Sequence, residues 1–325
     1  MADLSAAFLA EHVEAKRKPA TAAKYRYVDD LILPAFGRLK PADVTRAAVA
    51  RLHHDNAERP TTANYALAVL SAIFTFGQSR GLISDGVNPT RHVERYTEEK
   101  REWFLTRAEL ARLGEALQEV ETNGLPWTVR EVAGPKAKHL ARPENRVTRF
   151  DPAAVAAVRL LILTGCRLRE ILHLRWTEVN FERGLLFLGD SKTGAKTVFL
   201  NAPALEVQQA LPRRGSYVIP GDKPDAPRAD LKRLWEGVTA RADLRGVRIH
   251  DLRHTFASVG AGASLGLPIV GKLLGHWQSS TTQRYAHLDA DPLRRAADTI
   301  GATIAAAMDG RAGATITLIK KGRGR

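Results

Sequence analysis

The chain has a single cysteine, Cys166, in 325 residues. One thiol excludes an internal disulfide framework and a cysteine-based zinc site, and it points to a reducing cytoplasm. Long apolar runs are also missing. Nothing approaches the ~18–20 residues that a membrane-spanning helix needs, although 44% of the chain is hydrophobic, so no membrane partner is expected. The start, Met1-Ala2-Asp3-Leu4, lacks the basic and apolar regions of a signal peptide. Carboxylates are the minority charge, 35 Asp and Glu against 49 Lys and Arg. No cluster of them suggests a two-metal phosphoryl-transfer site.

The formal net charge is +14, spread through both halves of the chain. Such a surface attracts polyanions, nucleic acid first among them. A merely solubilising surface is the alternative that charge alone leaves open.

Residues 1–98 are patterned as an all-helical domain of about four helices. The first runs from Leu4 to Lys16 with Leu4, Phe8, Leu9 and Val13 on one face. Thr21 is expected to cap a second helix that carries Tyr25, Val28, Leu31 and Ile32 and stops before Pro34. Asp43 or Thr45 opens a third with Val49 and Leu52. Thr61 or Thr62 opens a fourth, rich in apolar residues from Tyr65 to Phe74 and ending near Gly81. Basic residues such as Lys16, Arg17, Arg38, Lys40 and Arg46 fall near helix ends, where phosphate contacts or a solvated surface would both suit them.

A charged linker reaches about residue 103. Thr106, with Glu109 three positions on, is a capping box for a helix with Leu110, Leu113 and Leu117 on its apolar face. Thr122 to Arg149 then forms a long Gly-, Pro- and Lys/Arg-containing insert, either a DNA-facing loop or a surface excursion. Pro152 opens a strongly apolar helix that Gly165 breaks, so that Arg167 begins the next one. Arg167 there can meet a phosphate oxygen beside free backbone N–H groups, or it can pair with Glu170. Cys166 reads as a small buried hydrophobe. Short runs at Val179–Phe181, Leu185–Leu188 and Thr197–Leu200 read as a small antiparallel sheet, with Lys192 in the turn between the last two and Lys196 as its rival. The fold class is therefore mainly α with a small antiparallel β-sheet.

Chemistry concentrates between residues 250 and 285. The stretch begins His250-Asp251-Leu252-Arg253-His254-Thr255, passes Leu274-Gly275-His276-Trp277 and reaches Arg284-Tyr285-Ala286-His287. A phenol is a weak nucleophile at neutral pH and needs a base or a cationic setting to attack a phosphodiester. Guanidinium groups supply paired N–H donors for the non-bridging oxygens, and a protonated group must meet the departing oxygen. Arg167, Lys192, His250, Arg253, His276 and Tyr285 supply these types. The histidines His250, His254, His276 and His287 lack a His-Glu-x-x-His helix and cysteine partners, so no metal is implied.

Arg167 in Thr-Gly-Cys-Arg-Leu-Arg-Glu, Lys192 in the hairpin, His250-x-x-Arg253-His254, Leu274-Gly275-His276 and Tyr285 together resemble the tyrosine recombinases, or phage integrases, over roughly residues 1–305. The resemblance implies a core-binding domain at 1–98 that clamps double-stranded DNA and a mixed α/β catalytic domain at 104–305. It implies that Tyr285 forms a covalent 3′-phosphotyrosine while Arg167, Arg253 and His276 hold the scissile phosphate. His250 would assist proton transfer with Tyr285, and Lys192 would protonate the leaving 5′ hydroxyl. The same resemblance implies a homo-tetramer on two duplexes, no metal or other cofactor, and accessory DNA-bending or directionality proteins in some systems. No arm-binding domain is expected ahead of the helical domain. A helix after Tyr285, with Leu293, Ile300 and Ile304, would dock on a neighbouring subunit, and residues 306–325 would form a basic tail. The expected role is integration or excision of a mobile element. Chromosome-dimer resolution, a type IB-like topoisomerase and a DNA-binding protein without catalysis are the alternatives.

Overall fold

The computed structural model describes residues 1–98, 103–127, 142, 145–191, 194–223, 225–262, 267–275 and 290–310. Lys192, His276, Trp277, Tyr285, His287 and residues 311–325 of the expected basic tail lie outside the described residues, as does most of the insert after Thr122, while the tail's expected first residues, 306–308, are the end of the last helix. The chain divides into two compact units, Met1–Arg101 and Glu102–Arg325. Each has its own hydrophobic core. The fold is mainly helical with small antiparallel sheets.

In the first unit, α1 (Ala2–Phe8) runs directly into a π-helical turn, Leu9–Glu14. The wider turn brings Phe8 and Val13, five positions apart, into the same core at 1% and 0% exposure. The second helix, α2 (Pro19–Phe36), starts two residues before the expected cap. Lys18 is extended and Pro19 takes the first helical position, where a missing N–H costs nothing. Nor does Pro34 end this helix. It sits in the last turn, and the chain stays helical to Phe36. Thr45 does cap α3 (Arg46–Asp55), accepting from the Ala48 N–H at 3.2 Å. The fourth helix, α4 (Pro60–Ser79), again starts on its proline, ahead of Thr61 and Thr62.

One buried amide ties the end of this unit to its core. Asn64 on α4 donates to the Tyr96 carbonyl and to Glu98 Oε1, each at 2.8 Å, and accepts the Tyr96 N–H at 3.0 Å. The His53 ring stacks on Tyr96 with centroids 4.3 Å apart. The basic residues flagged from the sequence, Lys16, Arg17, Arg38, Lys40 and Arg46, are all exposed.

The second unit opens with α5 (Arg107–Thr122), and both halves of the Thr106–Glu109 capping box are formed. Its Leu110, Leu113 and Leu117 are fully buried. The insert stands on a short antiparallel pair, β1 (Leu125–Pro126) with β2 (Val147–Thr148). Next come α6 (Pro152–Thr164), capped by Asp151, and the short α7 (Leu168–Leu172). A three-stranded antiparallel sheet follows, β3 (Val179–Asn180), β4 (Leu185–Ser191) and β5 (Gly194–Phe199), in that order. Helices α8 (Ala202–Gln209), α9 (Lys232–Arg241), α10 (Asp251–Gly262), α11 (Leu267–Leu274) and α12 (Ala290–Met308) complete it.

The final helix packs within its own unit. Ile300 and Ile304 are fully buried within the unit's own core, where α12 packs on α5, α6, α8 and α10. No described helix is long and apolar enough to cross a membrane.

Candidate active site

The apolar helix α6 sets the site's floor. It ends where Gly165 takes a left-handed backbone, φ +63°, as its C-cap. A Cβ at this position would lie 2.6 Å from Phe256 Cδ1 and 2.8 Å from Leu274 Cδ2, so both the φ angle and the space call for glycine. Cys166 follows, 2% exposed, with burial pushing its thiol pKa up despite the nearby cations. It packs as an apolar residue.

Arg167 then occupies the N-cap position of α7. Its backbone N–H donates to Glu170 Oε2 at 2.9 Å and its guanidinium to Glu170 Oε1 at 2.8 Å. Of the two sequence readings for Arg167, pairing with Glu170 is therefore present. It does not exclude the other, because a guanidinium carries five N–H donors and the Arg167 side chain keeps 22% of its surface open. Glu170 Oε2 also accepts from Lys196 Nζ at 3.1 Å. Burial alone would raise the Glu170 carboxyl, but the Lys196 charge and the Arg167 and Lys196 hydrogen bonds outweigh it, and the net shift is downward.

The helix α10 brings Arg253 to the same place. Arg253 is 5% exposed. Its Nη1 donates to the Gly165 carbonyl at 2.6 Å and its Nη2 to the Leu274 carbonyl at 2.8 Å. Burial, then the neighbouring Arg167, lowers its pKa, with Glu170 and Cys166 opposing. A guanidinium stays charged through such a shift. Two backbone carbonyls thus fix the plane of a buried cation whose remaining donors are free of these bonds.

His250 stands just before α10, its side chain exposed. Its ring meets that of His254 edge to face, centroids 5.2 Å apart. Partial burial comes first, and then the charges of His254, Arg253 and Arg167. Together they hold His250 below its ordinary value against the pull of Asp251. The shift favours the neutral ring, the form with a nitrogen able to accept a proton.

Three of the six residues singled out from the sequence, Arg167, His250 and Arg253, converge here. Lys192, His276 and Tyr285 lie outside the described residues, although Gly275, immediately before His276, closes α11 with φ +69°. Sequence reasoning missed the carbonyls of Gly165 and Leu274 as the holders of Arg253, since a backbone acceptor has no residue type to betray it. It also missed Asn201. This fully buried side chain caps α8 by accepting from Ala204 N–H at 3.0 Å and donates to the carbonyls of Leu163 (2.7 Å) and Ala297 (3.2 Å). Among the described residues, no group of three or more His, Cys, Asp or Glu side chains could hold a metal ion.

The model of the phage integrase family matches residues 148–291. The chain is similar to the tyrosine recombinase XerA of Pyrococcus furiosus, 30% identical over 149 residues, which are 43% of this chain and 52% of that protein. It is similar to XerC of Xanthomonas axonopodis pv. citri, 30% identical over 150 residues, 44% of this chain and 49% of that one. The chain thus spans about half the length of the curated relatives it matches. Among solved structures it resembles a lambda integrase (75–356) dimer bound to a COC′ core site. There the TM-score is 0.61, with 17% identity over 86% of this chain and 96% of that one, a likeness of fold.

Proposed function

We propose, from the match of the phage integrase family model to residues 148–291, that the chain is a tyrosine recombinase that acts as a site-specific DNA recombinase. It acts on double-stranded DNA through a covalent 3′-phosphotyrosine. The observation that carries the reading is the convergence of Arg167 and Arg253 from opposite ends of a long sequence interval, with His250 beside them. Two guanidiniums in a sheltered site are suited to the non-bridging oxygens of a phosphodiester, where charge grows in the transition state.

In the proposed reaction, the Tyr285 oxygen forms a bond to phosphorus and the bond to the 5′ oxygen breaks. His250 accepts the phenol proton, and Lys192 gives a proton to the departing 5′ oxygen. His276 joins Arg167 and Arg253 on the phosphate. The phosphoester energy stays in the intermediate, so a new 5′ hydroxyl reverses the step without a metal or high-energy cofactor. Residues 1–98 act as the DNA-clamping domain and 104–305 as the catalytic domain. Solved structures of lambda integrase include a tetramer bound to a Holliday junction, and we extend a tetrameric assembly on two DNA sites to this chain. A DNA substrate and a lone thiol fit a cytoplasmic setting.

The finer reading is integration or excision of a mobile element. The decisive experiment uses DNA with a trapped nick on a verified cognate site and looks for a covalent adduct. Wild type should give one and Tyr285→Phe none. Absence from both sinks the recombinase reading, and an adduct surviving Tyr285→Phe sinks the choice of nucleophile. Joining two unlike sites supports the mobile-element role. Joining only identical chromosomal sites replaces it with dimer resolution, and relaxation of any plasmid without joining replaces it with a topoisomerase.

A further inference from the structure

We infer that Lys196 is a positioning residue for the two phosphate-binding arginines, acting through Glu170 and through the turn at Gly275. The inference rests on the recombinase reading above. Lys196 lies on β5, its side chain 5% exposed, and Glu170 is equally buried. Lysine is almost never buried to this extent without a paired charge, and here the partner is the carboxylate that also holds Arg167 by backbone and side chain.

Formal charges show what the lysine adds. Without it, Arg167 and Glu170 neutralise each other, and of this group only Arg253 would face a phosphate with net positive charge. With it, Glu170 is balanced by Lys196, and both guanidiniums keep their full charge for the anion. At low local dielectric that difference is large. Lys196 also braces the other arginine's support. A Cβ at Gly275 would come within 2.8 Å of Lys196 Cδ and 2.9 Å of Cε, so the lysine stem lies directly against this turn. Gly275 follows Leu274, whose carbonyl accepts from Arg253, and precedes His276. One side chain therefore holds the carboxylate bound to Arg167 and lies against the residue that follows the carbonyl bound to Arg253. With its ammonium held on Glu170, Lys196 is not placed to be the proton donor, which leaves that role with Lys192.

The test is a double-mutant cycle on the full chain with trapped-nick DNA. Lys196→Met should slow adduct formation at saturating DNA by about tenfold or more while DNA affinity stays within about twofold. Adding Glu170→Gln removes the carboxylate left uncompensated. The double variant should then recover most of the loss, and Lys196→Met should cost less than about threefold in a Glu170→Gln background. That second comparison decides the matter even if Lys196→Met alone does not fold. Equal losses in both backgrounds would overturn the inference, because they would mean that the lysine acts directly or merely fills space. A parallel titration with inorganic phosphate, followed on the arginine Nε–H resonances, separates the two proposals. If wild type gives no adduct, the recombinase reading fails. Weaker phosphate binding in Lys196→Met, restored in the double variant, still sustains the role of Lys196, and unchanged binding overturns it.

Discussion

Arg253 donates to the carbonyl of Gly165 at 2.6 Å, across 88 positions of sequence. The acceptor belongs to the residue that ends α6, and the donor sits on α10. Fixing the guanidinium to a helix C-cap locks the cation to the most apolar helix of the unit, every residue of which from Ala153 to Thr164 except Arg159 is buried. A rigid hydrophobic helix thus places a charge, so the core and the site are one construction.

Replacing Arg253 with lysine keeps the charge and loses the fork. An ammonium cannot donate to the Gly165 and Leu274 carbonyls in the guanidinium's geometry and still offer a paired face to a phosphate. We expect adduct formation to fall by about 10²–10³-fold, with DNA affinity nearly unchanged and the denaturant midpoint lowered only slightly. Activity within a factor of about three of wild type would show that Arg253 does not contact the phosphate.

Gly165→Ala tests the floor itself. The left-handed φ and the closeness of Phe256 and Leu274 both oppose a Cβ. The cost should be about 1–3 kcal/mol from backbone strain, with overpacking in addition. Urea unfolding should show a lower midpoint at an unchanged slope. An unaltered midpoint would mean that the turn relaxes without cost.

Much of this architecture can be read from residue types. The Thr106–Glu109 box, the break at Gly165 and the small sheet all stand where local signals put them, because caps, left-handed turns and period-2 runs act over a few residues. Helix starts at Pro19 and Pro60 were less legible. The nearby threonines advertise caps, yet proline at the first helical position is equally good, and the extended residue before it ends the matter. The covering of α12 by its own unit depends on tertiary packing that no window of sequence contains. In the site, the residue types of Arg167, His250 and Arg253 singled them out, and the structure brings the three together. The carbonyls that aim Arg253 and the pairing of Lys196 with Glu170 are set by chain crossing.

The His250 pKa is lowered, so the folded protein binds a proton there less readily than the unfolded chain. Its contribution to stability is therefore lost as pH falls below the ordinary histidine value of 6.5, and the neutral ring persists above it. If His250 accepts the Tyr285 proton, the acid limb of adduct formation lies below that value and disappears in His250→Gln. His254 is among the groups that lower His250, so His254→Asn should move the limb to higher pH. Imidazole resonances followed through a titration check the assignment. A downward shift in His254→Asn would contradict the electrostatic account.

Asn201 offers the sharpest test of how the second unit is joined. Its amide donates to the carbonyls of Leu163 on α6 and Ala297 on α12, while its oxygen caps α8. Three helices therefore meet on one side chain that has no contact with solvent. Alanine there would leave the two carbonyls short of this donor in a dry site and the α8 N-terminus without its cap. Aspartate is the informative comparison, since it keeps an acceptor for the Ala204 N–H yet turns a donor against two carbonyls into a repelling oxygen. We expect Asn201→Ala to lose about 2–4 kcal/mol and Asn201→Asp to lose more at neutral pH, although Asp is as good a helix cap. Chemical denaturation of both variants decides it. If Asp were the milder change, capping would be the dominant role of Asn201 and the links to α6 and α12 would contribute little.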